Sequence, residues 1–373
     1  AGNSPDEVTG SISPSIHLTS TYAQDGIGKN KGYDYSRGGN PTRSRLEDNI
    51  AALEGGYDAI AFASGMAATT ALFQKLKKGD HVIVSRNVYG GTYRMATRVL
   101  SNHGIKFDFV DTTDLDNIKQ KIKKETRWVF IETPTNPMLE ITDIRAVADL
   151  CSKFSIKLAV DNTFMSTYGQ RPLENGADCV MHSSTKFISG HSDVLGGILV
   201  VKDQSLAESL HFIQKSGGAI PSPFDSWILL RSVKTMSMRV QRSTENAMVL
   251  AKFFDCHSSI TKTIYPGLSS HPQHEIAKKQ QIDPHGDILY GSMISIVFDT
   301  KQNLNQFLSR IKLFTLAESL GGVESLMSAP YFMTHADVPK DVKADMELVP
   351  ELLRLAVGIE HIDDLLDDVK QAL

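Results

Sequence analysis

The chain has 373 residues, 41% of them apolar and 22% charged, with a formal net charge of −4 at pH 7. That length allows two domains and a sizeable core, and the small net charge without a basic tract excludes a nucleic-acid-gripping surface. No apolar run approaches a membrane span, the polar start Ala1 to Gly10 lacks a signal-peptide core, and three scattered cysteines (Cys151, Cys179, Cys256) argue for a reducing, cytoplasmic compartment and against a disulfide frame or zinc site.

The first residue is not Met, which points to a trimmed N-terminus. Residues 1–40 are rich in Ser, Thr, Gly and Pro, read as an arm, and end in the turn-like run Tyr33 to Pro41. A helix is expected from near Thr42 to Leu53, with Gly55-Gly56 after it. Strand-like runs then follow at Ala59–Ala63, His81–Ser85, Phe107–Asp111, Trp128–Glu132, Lys157–Asp161, Cys179–His182 and Gly197–Val201. Helical patterns lie between them at Met66–Leu76, Thr92–Asn102, Leu115–Lys124 and Thr142–Phe154. This alternation predicts an α/β fold with a mostly parallel sheet between helices. In such sheets the ligand lies beyond the carboxyl ends of the strands. Past Pro223 the pattern changes to one long helical stretch, Phe224 to Phe254, in which Met236 and Met238 read as core. A strand at Met293–Phe298, a helix near Leu304–Phe314 and a C-terminal helix after Asp363 complete a smaller α/β domain. The expected division is an arm (1–40), a cofactor-binding domain (41–235) and a C-terminal domain (236–373), with no internal repeat.

Several polar clusters fall at the strand ends. After the apolar run Cys179 to Met181 come Ser183, Ser184 and Thr185, then Lys186 and Gly190. A lysine on a tight turn past a buried strand is partly stripped of water, which lowers its pKa and frees a neutral amine. The hydroxyls of Ser183 and Thr185 fall where phosphate oxygens could be held. Together they suggest Lys186 in a Schiff base with a phosphorylated aldehyde cofactor; the alternative is a solvated lysine on a polar loop. Ser64-Gly65-Met66 caps a helix after a strand, and free N–H groups there suit phosphate. Asp161 ends a buried run and needs a cationic partner; a protonated pyridine nitrogen would serve, the alternatives being a helix N-cap or a structural ion pair. Tyr89, on a glycine loop, can stack on a flat ring or sit on the surface. Asn136, in Glu132-Thr-Pro-Thr-Asn-Pro137, can bond a ring substituent or simply stiffen a turn. Arg354 opens an apolar strand-like run and suits a bidentate grip on a carboxylate, or an edge-strand salt bridge.

Amine, buried acid, phosphate cradle, aromatic and carboxylate clamp are all expected around pyridoxal 5′-phosphate (PLP). The chain resembles the Cys/Met-metabolism family of PLP enzymes of fold type I, through Tyr35-Ser-Arg-Gly-Gly-Asn-Pro-Thr42, Ser64-Gly-Met66, Glu132-Thr-Pro-Thr-Asn-Pro137, Val160-Asp-Asn-Thr163, Ser183-Ser-Thr-Lys186, Gly190-His-Ser-Asp193, Ser319-Leu-Gly-Gly-Val-Glu-Ser325 and Arg354-Leu-Ala-Val-Gly-Ile-Glu360. The resemblance implies a seven-stranded, mostly parallel sheet and PLP on Lys186. Asp161 is then the partner of the ring nitrogen, with Thr163 beside it. Tyr89 is the stacking residue and assists deprotonation of the substrate amine. Gly65, Met66, Ser183 and Thr185 form the phosphate cradle. Tyr35 and Arg37 reach the phosphate of a neighbouring subunit, so a homo-oligomer is implied, commonly a tetramer built as a dimer of dimers. Asn136, Ser319 and Arg354 contact the ring hydroxyl and the substrate carboxylate.

Members of that family differ in reaction. Glu318 stands where γ-acting members often carry an acid and enteric-type β-lyases tyrosine, and Asp34 where γ-lyases often carry glutamate. Two acids suit the distal ammonium of L-cystathionine. Gly91 stands where methionine γ-lyases typically carry cysteine. The segment Ala329 to His335 departs from the usual spelling. The expected reaction is α,γ-elimination of L-cystathionine to L-cysteine, 2-oxobutanoate and ammonia, with side β-elimination and hydrogen sulfide release. The alternatives are a β-lyase, a γ-synthase or homoserine-ester sulfhydrylase, and a non-catalytic PLP-binding regulator.

Overall fold

The computed structural model describes residues 1–336 and 338–373. The first sheet holds β1 (Asp58–Phe62), β2 (His81–Ser85), β3 (Lys106–Val110), β4 (Thr126–Glu132), β5 (Lys157–Asp161), β6 (Cys179–His182) and β7 (Gly197–Val201), in the order β1-β7-β6-β5-β4-β2-β3. Strand β7 pairs antiparallel with both its neighbours, and the other pairings are parallel. Its inner strands are buried on both faces, which is why they read as unbroken apolar runs rather than as alternation. Helices cover both sides, so the inner strands keep their polar residues at their ends, as β2 does with His81 and Ser85.

A second sheet is built from β8 (Ile260–Ile264), β9 (Met293–Phe298), β10 (Thr315–Leu316), β11 (Leu326–Ser328) and β12 (Leu352–Ala356), in the order β10-β11-β12-β9-β8. Strand β12 therefore lies inside its sheet, between β11 and β9, and not at an edge. Its own core includes Phe254, Phe298, Phe307 and Leu365.

Three local expectations change. The stretch Phe224 to Phe254 is two helices, Pro223–Val233 and Met236–Asp255. The break follows from Arg239. Its Nη2 donates to the Ser232 carbonyl at 3.0 Å and its Nε to Thr235 Oγ1 at 3.2 Å, drawing polar groups out of the helical ladder. Met236 is buried as expected, but Met238 is 63% exposed on the outer face of the second helix. The helix near Leu304–Phe314 runs over Lys301–Arg310; the chain turns extended at Ile311, and Phe314 enters the core from outside it. Cys151 and Cys179 are buried and Cys256 is exposed, with no disulfide among the described residues. No helix among them is long and apolar enough to cross a membrane.

Arg239 also ties the two halves to the turn after β6. Nη1 donates to the Phe187 carbonyl at 2.8 Å, and the guanidinium fills the space that a Cβ at Gly190 (φ +69°) would need. Gly321 (φ +77°) presses on the other side of the same turn; a Cβ there would lie 2.8 Å from the Phe187 nitrogen. The turn that carries Lys186 is thus held between an arginine and a glycine, each of which only a small neighbour permits.

Candidate active site

A cavity of about 340 Å³ opens at the carboxyl ends of β1, β4, β5 and β6 and is closed from the second sheet by the loop before β11 and by β12. Gly65, Met66, Tyr89, Asn136, Asp161, Thr163, Ser183, Thr185, Lys186, Glu318, Ser319 and Arg354 all line it. Asp34, Tyr35 and Arg37 do not. Tyr35 and Arg37 line a separate shallow groove with Leu18 and Pro223, and Arg37 Nη1 donates to the Lys215 carbonyl at 2.5 Å.

One corner of the cavity follows from a strand-to-helix turn. Ser64 Oγ accepts from the Ala67 N–H at 3.1 Å and starts the helix Gly65–Phe73. A Cβ at Gly65 would lie 2.9 Å from Ser183 Cβ, so only glycine lets the helix N-terminus approach the turn after β6. The Thr185 hydroxyl is engaged with Gly196, accepting from its N–H at 3.0 Å and donating to its carbonyl at 3.2 Å. It thereby props the loop as well as facing the cavity.

Lys186 Nζ donates to Ser319 Oγ at 3.0 Å. Burial, with Arg354 adding to it and Glu318 opposing, lowers its pKa to about 8. The side chain is half-buried in the cavity against Ser319, and not on a solvated surface loop. Asp161 is 5% exposed. Its Oδ1 accepts from Thr163 N–H at 3.0 Å and from Thr163 Oγ1 at 2.5 Å, and no cation pairs with it among the described residues. Burial raises its carboxyl above the usual range, and the two bonds from Thr163 oppose that rise. Thr163 Oγ1 in turn accepts from the Ser183 N–H at 2.9 Å, joining the acid to that corner.

Arg354 is 2% exposed. Nη1 donates to Asn136 Oδ1 at 3.0 Å and Nη2 to the Ser319 carbonyl at 2.8 Å, while Nε has no partner among the described residues. No carboxylate pairs with it there, which removes the salt-bridge alternative; burial lowers its pKa to about 10. Ser319 is held at φ +104°, a region that disfavours a side chain, by the bonds to Arg354 and Lys186. Glu318 sits exposed at the rim. Thr334, from the segment of unusual spelling, also lines the cavity. Behind it His335 is lowered to about 4 by burial and then by the Arg354 charge, so it stays neutral.

The sequence reading missed Glu132. It ends β4 as Asp161 ends β5, is 4% exposed and lines the cavity. The signal was present, an acid closing an apolar run, and it is the one applied to Asp161. The set as a whole fits a phosphorylated pyridine aldehyde: an unpaired buried acid, a partly neutral buried lysine and a glycine-permitted cradle. Among the described residues no cluster suits a metal ion.

Residues 1–373 match the profile described as Cys/Met metabolism PLP-dependent enzyme. A cystathionine gamma-lyase of Bacillus subtilis is 45% identical over 100% of this chain and 97% of its own length. A cystathionine beta-lyase of Lactococcus lactis subsp. cremoris is 44% identical over 100% and 96%. The crystal structure of a cystathionine gamma synthase from Xanthomonas oryzae pv. oryzae in complex with cystathionine superposes with a TM-score of 0.96 at 38% identity, covering 100% of this chain and 95% of that one.

The lowered Lys186 pKa gives a directional pH dependence. The reactive amine is the neutral form, so labelling of Lys186 by a small amine-selective reagent, read by peptide mass, rises with pH through about 8 and levels off by about pH 9. Labelling that keeps climbing through the ordinary lysine range near pH 10.4 contradicts the burial argument.

Proposed function

The chain belongs to the Cys/Met metabolism family of PLP-dependent enzymes, which act on carbon–sulfur bonds with PLP as cofactor, and we propose that within it the protein catalyses α,γ-elimination of L-cystathionine to L-cysteine, 2-oxobutanoate and ammonia. The observation that carries this reading is Glu318, an acid at the rim of the cavity that also holds Lys186 and Arg354. A substrate with an amino-acid group at each end needs a carboxylate clamp deep in the site and an acid further out. Arg354 and Glu318 supply that pair.

In this reading Gly65, Met66, Ser183 and Thr185 hold the phosphate, Asp161 holds the proton of the ring nitrogen, and Asn136 faces the ring hydroxyl. Bound there, PLP supplies an electron sink for the charge left when a proton leaves the substrate Cα. Tyr89 stacks on the ring and takes the proton of the incoming amine. Arg354 grips the α-carboxylate with a guanidinium already oriented by Asn136 and Ser319, so little freedom is lost on binding. Lys186 moves the protons at Cα and then at Cβ. A pKa near 8 leaves roughly a tenth of it neutral at pH 7, enough for a base that must also hold a proton. Glu318 would hold the distal ammonium and so orient the sulfur end of the substrate.

Asp34, Tyr35 and Arg37 fit a shared site. They lie on the arm, outside their own chain's cavity, and the arm exposes Val8 and Ile12. In this reading a second copy covers the arm, and Tyr35 and Arg37 reach the second copy's phosphate corner, in a homotetramer built of such dimers.

Two experiments test these assignments. On L-cystathionine the protein yields mainly 2-oxobutanoate, and Glu318→Ala lowers that rate roughly tenfold, the loss expected of a charge-assisted contact. Mostly pyruvate from the unaltered protein, or condensation of a homoserine ester with cysteine outrunning elimination, contradicts the γ-elimination reading. Refolding Lys186→Ala together with Arg37→Ala restores roughly a quarter of the unaltered activity, because mixed dimers rebuild one whole site. No recovery above the two variants alone contradicts a shared site.

A further inference from the structure

Glu132 and Asp161 are register partners on the neighbouring parallel strands β4 and β5, so two buried carboxyl groups leave the sheet side by side into one cavity. No basic side chain pairs with either among the described residues. What Glu132 does hold is backbone. Its Oε2 accepts from the Tyr89 N–H at 2.7 Å and its Oε1 from the Asn136 N–H at 3.0 Å. Its own N–H donates to Ser85 Oγ at 3.2 Å, which locks β4 to β2 at this level. Tyr89 closes the loop after β2, just before the helix Gly90–Arg94, and Asn136 lies in the loop after β4. Glu140 of that second loop also ties the two, accepting from Arg86 Nη2 at 2.7 Å and from Asn87 Nδ2 at 2.8 Å, but Glu132 alone of the two acids bonds Tyr89 and Asn136 themselves.

We propose that Glu132 is a positioning residue for the cofactor ring: one buried carboxyl group fastens the Tyr89 and Asn136 loops to the strand ends beside Asp161, so a single side chain sets both ring contacts. This rests on the placement of the ring between Tyr89 and Asp161 given above. Burial, and then the charge of Asp161, raises the Glu132 carboxyl well above the usual range, against the pull of the two N–H bonds. A group so disposed to keep its proton suits a scaffold and not a base that must exchange protons with substrate. Both oxygens accept N–H bonds, so glutamine cannot replace the acid: its NH2 would face a donor, whatever the protonation of the acid it replaces. Aspartate keeps both oxygens but falls one methylene short.

The test measures PLP affinity of the apo protein and the visible circular dichroism of bound PLP, neither of which requires turnover. Glu132→Gln is expected to weaken PLP binding about tenfold and to shrink the circular dichroism band, with Glu132→Asp intermediate in both. Wild-type affinity and band in Glu132→Gln overturn the proposal, and so does a loss of apo stability with the band of bound PLP unchanged, which is the mark of a purely structural acid. If Glu132→Gln does not fold, Glu132→Asp decides alone: weakened binding supports the proposal and wild-type binding overturns it. Asp161→Asn separates the premise from the inference. Undiminished PLP binding in that variant removes the ring placement itself, whereas lost binding there with wild-type behaviour at position 132 overturns only the role of Glu132.

Discussion

The cavity buries charge without neutralising it. Arg354 has no acid, and Asp161 has no base, among the described residues, although both are almost fully enclosed. Elsewhere Arg43 has Glu47 at 3.6 Å and Glu54 has His182 at 2.9 Å, while Arg239, also buried, is held by carbonyls and a hydroxyl alone. An unpaired buried ion costs several kcal/mol or more. The protein tolerates that cost here only with ordered dipoles, the Asn136 amide and the Ser319 carbonyl around Arg354, and the Thr163 groups around Asp161. In the proposed function such a site is completed by a ligand that brings a carboxylate to one end and a protonated ring nitrogen to the other.

The Lys186 amine depends on the same arrangement. Arg354 helps to lower its pKa and also holds the Ser319 backbone, whose hydroxyl receives the lysine. Clamp and amine are therefore linked through one strained residue. Arg239 and Gly321 fix the turn beneath from opposite sides, so the lysine projects from a rigid support. In the proposed reaction that rigidity matters, because a base that moves protons at two neighbouring carbons must be held within reach of both.

Much of this was legible in the sequence, and the physical reasons differ by element. The inner strands of the first sheet were plain because burial on both faces leaves them few polar positions to confuse the pattern. The glycine-and-hydroxyl turns after β1 and β6 carried the phosphate corner for a similar reason, since close approach admits few residue types. The break between the helices at Pro223–Val233 and Met236–Asp255 was invisible because its cause, Arg239 bonding to Ser232 and Thr235, exists only when the second helix has packed. Met238 misled because helical spacing alone does not say which face turns outward. Glu132 closes an apolar run just as Asp161 does, so its place was legible; its role was not, because its carboxyl bonds go to backbone N–H groups, which no residue pattern records. Asp34, Tyr35 and Arg37 carry a strong motif yet lie outside their own chain's cavity, because a sequence motif does not say whose cavity its residues reach.

The most direct measurement is borohydride reduction of the PLP-loaded protein followed by peptide mass mapping. The account predicts a single reduced pyridoxyl-phosphate adduct on Lys186, lost in Lys186→Ala and weakened when Asp161 is made Asn. An adduct distributed over surface lysines, or a stoichiometric adduct on a lysine outside the cavity, would contradict it.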